Sequence, residues 1–144
     1  MLDNYFILML STWVISQTIK YTIKTVRHRD YSLRALKQTY LYSSGIPSTH
    51  SAILSSSLFF IAANLGTNHP IFYIFTLFSI LWIYEIYQQR KRYHLIITFF
   101  DHQKINKESL AALKDLNGHD KTDIILGIVL GATIFFFFTL LRQI

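Results

Sequence analysis

Four apolar blocks, at about residues 5–19, 51–65, 71–87 and 124–141, limit what this chain can fold into more than any other feature. Glu85 is the sole charged residue inside any of them. Each block is at or just below the roughly 17–25 residues that a helix needs to cross a bilayer, and one polar turn at either end closes the difference. Backbone polar groups in hydrocarbon must be satisfied within the segment, so such blocks are expected to be helical. The composition agrees: 51% of the 144 residues are hydrophobic, 16% aromatic and 15% charged, too apolar for an ordinary soluble domain of this length. The expected fold is all-α: one membrane domain over residues 1–144, an integral bundle of about four transmembrane helices.

The net charge of +6 gathers in two polar segments, 20–50 and 88–123. The first carries Lys20, Lys24, Arg27, Arg29, Arg34 and Lys37 against Asp30; the second begins Arg90-Lys91-Arg92. Four spans place both segments on one side. The positive-inside rule makes that side cytoplasmic, so a multi-pass protein of the cell membrane with both termini outside is expected. The charge suits a headgroup-facing surface, and no aromatic-basic nucleic-acid motif accompanies it, so no nucleic-acid partner is expected. Without cysteine there is no disulfide and no thiol chemistry. The first residues lack a basic n-region and a small-residue cleavage site, and are read as mature chain. Glu85 should face protein or water. Gly127-x-x-x-Gly131 lets a second helix approach closely, with homo-oligomerisation through the same glycines as one use.

Two entrances to apolar blocks hold the candidate chemistry. In Ser44-Gly45-Ile46-Pro47-Ser48-Thr49-His50-Ser51, glycine and proline make a turn and Ser48 is a good N-cap, so a helix should start near Ser48. Its free N–H groups favour an anion, and His50 beside it can give or take a proton near neutral pH. At the fourth block His119 stands four residues before Asp123, with Asp120 or Thr122 as the cap. If that turn is helical, the carboxylate can fix the imidazole tautomer. The competing reading is two ordinary helix entries with polar residues among headgroups. His94, His102 and His119 match no common zinc spacing, and no metal or other cofactor is expected. A plausible amphipathic piece covers 107–116.

Pro47-Ser48-Thr49-His50 resembles the Pro-Ser-Gly-His motif of the type 2 phosphatidic acid phosphatases. Ser44 to Ala52 is closer still to the Gly-Gly-Met-Pro-Ser-Ser-His-Ser-Ala stretch of their divergent bacterial and plant branch, also described as acid phosphatase/vanadium-dependent haloperoxidase-related. Gln17-x-x-Lys20, Tyr84-Glu85 followed by Arg90-Lys91, and Gly118-His119 followed by Asp123, Gly127 and Gly131 resemble the same branch, in the same order.

The resemblance implies a membrane phosphatase that hydrolyses a lipid phosphate or pyrophosphate through a phosphohistidine, without metal. It implies His119 as nucleophile, Asp123 as its orienter and His50 as general acid. Lys20, Arg27, Ser48 and Thr49 would hold phosphate; Lys20 and Arg27 fit the Lys-x6-Arg spacing, with His28 where the family has proline. Two departures stand out. Glu85 replaces the branch's usual Asp, and Ala112-Leu113 replaces the wider family's Ser-Arg, so Arg90 or Arg92 is the candidate for the missing cation. The alternatives are a non-catalytic lipid-phosphate binder or transporter on the same scaffold, and a pure assembly protein using the Gly127–Gly131 face.

Overall fold

The computed structural model describes residues 2–29, 31–41, 45–102 and 120–142. They form five helices: α1 Leu2–His28, α2 Leu33–Leu41, α3 Thr49–Leu65, α4 Pro70–His102 and α5 Lys121–Arg142, and no strand occurs among them. The expected all-helical membrane bundle is observed: α4 and α5 are long and apolar enough to cross a membrane, and α3 is a shorter apolar helix. The expected piece at 107–116 lies outside the described residues.

α3 is the centre of the bundle. It runs antiparallel to α1, because Tyr5 donates to Ser57 (3.2 Å), Ser57 to Met9 Sδ (2.8 Å) and Thr12 to Ser56 (3.3 Å). These hydroxyls satisfy one another at an interface where lipid offers no partner. α5 lies beside α3 in the same direction: Ser55 donates to the Ile128 carbonyl at 2.9 Å. A Cβ added at Gly127 would collide with the Ser48 carbonyl oxygen, and one at Gly131 with that of Ala52. The two glycines therefore serve helix packing within the chain. At one end Leu8, Phe60, Ile134 and Phe135 form the apolar core, and Arg142 donates to Asn4.

Two elements depart from the sequence reading. α4 does not stop near Tyr87 but continues to His102, 33 residues in all, or about 50 Å against a hydrocarbon core of about 30 Å. Residues 88–102 contain neither glycine nor proline, and charge alone does not end a helix; Arg92 donates to Glu85 at 2.8 Å along the surface. Glu85 thus pairs with a cation on the α4 surface. The polar segment 20–50 also contains α2, which folds back along α1 so that the Tyr40 ring meets Trp13 edge-on at 5.6 Å and its hydroxyl lies 3.2 Å from Thr18.

The result is one polar end. The α1 C-terminal half, the α3 N-terminus, the α4 extension and the α5 N-terminus all lie there, as the Ser48–Asp123 and Arg90–Asp120 contacts require.

Candidate functional site

The polar end is built on the turn before α3. Gly45 has φ +126°, a region that side chains rarely adopt, and a Cβ there would touch Lys24 Cε at 3.4 Å. Ser48 caps α3 as expected: its hydroxyl accepts from the Ser51 amide (3.4 Å) and the Ser51 hydroxyl (3.1 Å). The Ser48 amide donates to the Asp123 carbonyl at 2.9 Å. That bond pins the start of α3 to the first turn of α5. It also occupies the Ser48 N–H, so a ligand at this terminus would have to use the amides that follow.

α5 starts with one half of a capping box, and Asp120 Oδ1 accepts from Lys121 N at 2.9 Å. The Asp120 carbonyl accepts from Ile124 N (3.1 Å), and the Asp123 carboxylate reaches back to accept from Asp120 N at 2.9 Å. Of the two expected caps, Asp120 is the one used. Asp123 is buried, 6% exposed, and part of its accepting capacity is spent on the helix start. His119, the expected nucleophile, lies outside the described residues.

Lys20 points into the same junction from α1 with none of its surface exposed. It lies within electrostatic reach of Lys24, Asp123 and His50. A buried ammonium is tolerated only with compensating partners, and the nearby carboxylate is one. His50 stands just outside the apolar block, with part of its ring surface open. Desolvation by the surrounding protein, and then the Lys20 charge, lower its pKa from the ordinary histidine value. Thr49 is buried beside it, 3% exposed.

The structure thus brings together Lys20, Ser48, Thr49, His50 and Asp123, contributed by α1, α3 and α5. It does not bring in the other two expected phosphate ligands. Arg27 is exposed further along α1, without a hydrogen bond or ion pair among the described residues. Arg90 pairs with Asp120 at 3.5 Å on the α4 side of the α5 terminus. There it lines an open cavity of about 450 Å³ with Tyr87, Lys91, His94, Leu95, Thr98 and Asp120. The ammoniums of Lys91 and Lys121 lie 5.0 and 5.6 Å from the Tyr87 ring centre.

Sequence reasoning passed over Lys24 as a site neighbour. Its signal was the four-residue spacing from Lys20, which puts both on one helical face. Gln17, noted only as part of Gln17-x-x-Lys20, is 1% exposed and sits one turn below Lys20.

No curated protein and no solved structure matches the chain. The family model described as the divergent PAP2 family matches residues 1–134. That match runs through every element of the junction from Lys20 to Asp123, and this helical membrane protein belongs to the divergent PAP2 family.

Proposed function

We propose that the chain is a metal-independent phosphatase acting on a lipid phosphate or pyrophosphate at the cytoplasmic membrane face. The observation that carries this reading is the junction itself. A buried Lys20, the α3 N-terminus and a partly open His50 converge one residue beyond the apolar blocks, beside the helix that His119 precedes.

The chemistry balances on these groups. The His119 imidazole attacks phosphorus; a P–N bond forms as the P–O bond to the lipid breaks. Protonated His50 gives its proton to the leaving oxygen. Water then attacks the phosphohistidine, His50 takes the water's proton, and inorganic phosphate leaves with His119 restored. Lys20 and the α3 N-terminus stabilise the charge on the transferring phosphoryl oxygens. Asp123 orients His119 while it caps α5. Family membership supports the scaffold, and positive-inside bias supports the cytoplasmic face.

The non-catalytic binder remains the second reading, because Ala112-Leu113 removes the wider family's arginine and Asp120 holds Arg90, its candidate substitute. Phosphate release from a panel of lipid phosphates, by purified protein in detergent with chelator present, separates the two. The phosphatase reading expects release that chelator leaves intact and vanadate inhibits. Binding without release favours the second reading, and loss with chelator that zinc or magnesium restores points to a metal site.

A further inference from the structure

Among the described residues two buried side-chain polar atoms have no hydrogen-bond partner: Gln17 Oε1 and Thr49 Oγ1. Both residues are almost wholly buried, at 1% and 3% exposed, and buried polar atoms are as a rule paired, so each such orphan calls for an explanation.

They lie at the same level of the bundle. The Thr12–Ser56 contact fixes the antiparallel register of α1 and α3. Five residues on from Thr12, and five back along α3 from Ser56, Gln17 arrives level with Ser51, in the first turn of α3 that Thr49 opens. One turn further along α1 is Lys20, and next to Thr49 is His50. Gln17 therefore lies one turn to the membrane side of Lys20, and Thr49 lies beside His50 at the α3 start.

Their chemistry differs from that of the cations above them. A carboxamide oxygen only accepts hydrogen bonds, and a threonine hydroxyl accepts as well as donates. A fully deprotonated oxyanion offers acceptors alone and leaves the Gln17 oxygen unpaired. An oxyanion that keeps one O–H satisfies it.

We infer that Gln17 and Thr49 form an acceptor subsite that reads the proton on a terminal phosphoryl group. The junction then takes phosphate monoesters and terminal diphosphates in their singly protonated form, and rejects phosphodiesters and sulfate, which carry no such proton. This rests on the oxyanion site proposed above. It adds the protonation state of the bound group and gives Gln17 a direct binding role.

Inorganic phosphate and sulfate are the probes, titrated calorimetrically into the full chain in detergent at neutral pH and constant ionic strength. They match in size and shape, but only phosphate keeps an O–H. Wild type should bind phosphate about tenfold or more tighter than sulfate, the worth of one hydrogen bond in a charged site. Gln17→Met keeps the volume and removes the acceptor. It should bring the two affinities within about threefold, mainly by weakening phosphate, with an unchanged melting temperature. Thr49→Ser should keep the preference. If Gln17→Met does not fold, Gln17→Glu, which keeps acceptor oxygens, should retain or sharpen it. Equal binding of the two anions by wild type, an unchanged ratio in Gln17→Met or a lost ratio in Gln17→Glu overturns the inference and leaves the oxyanion site standing. Binding of neither anion overturns both.

Discussion

Lys20 carries a formal charge with no exposed surface, in a segment whose other cations include the exposed Arg27 and Lys37. If it clamps a phosphoryl group, Lys20→Ala should lower the rate by about 10²–10³-fold, the usual loss for one electrostatic contact to the transition state. Lys104→Ala and Lys107→Ala, in the second basic segment of the sequence, should change it little in the same assay. The Lys20 charge also acts on His50. It contributes to lowering the His50 pKa, after desolvation, so Lys20→Met should raise the pKa read from the His50 ring resonances by NMR. An unmoved or lowered value would separate the two side chains. Ser48 and His50 were legible in the sequence because Gly45 and Pro47 punctuate the turn and the apolar run starts at once behind it. The exposed position of Arg27 and the pairing of Arg90 with Asp120 were not legible. Spacing reports which residues share a helical face, whereas the partner that claims a side chain, here Asp120 for Arg90, is set by tertiary contact.

Among the elements, α3 and α5 meet most tightly, and the sequence announced it through Gly127 and Gly131. The obstruction to a larger residue at either position is backbone of α3, which cannot rotate away. Gly131→Ala should therefore cost about 1–3 kcal/mol, the usual range for overpacking. Ser55→Ala removes one hydrogen bond to Ile128 and should cost about 0.5–1.5 kcal/mol. Thermal unfolding in detergent checks the order. Equal small losses would mean that the helices slide apart freely. The length of α4 was less legible: Arg90-Lys91-Arg92 marks where hydrocarbon ends, not where the helix ends. α2 was missed because its nine residues pack through a few side chains such as Tyr40, with no apolar run to signal them.

At the scale of the whole molecule, α1, α3, α4 and α5 put their polar ends together, and the sequence holds no cysteine. Single cysteines at Lys37 and Lys91 should thus share one side, and one at Thr67, in the turn between α3 and α4, should lie on the other. The proposed orientation predicts that an impermeant thiol reagent added to intact cells labels Thr67→Cys and spares Lys37→Cys and Lys91→Cys. The reverse pattern would move the site to the outer face. The order of blocks foretold the shared polar end, since consecutive spans alternate in direction across a bilayer. The depth of Lys20, Gln17 and Asp123 emerged only once three helices were packed. The proposed reaction carries the phosphoryl group on His119, where it can be sought directly. The full chain is quenched during turnover of a lipid phosphate, and its phosphoryl attachment is mapped by mass spectrometry with neutral-to-basic handling that preserves P–N bonds. An acid-labile phosphoramidate is expected on His119 and should be absent from His119→Ala. Phosphate release by wild type with no phosphorylated histidine, or undiminished release by His119→Ala, would contradict it.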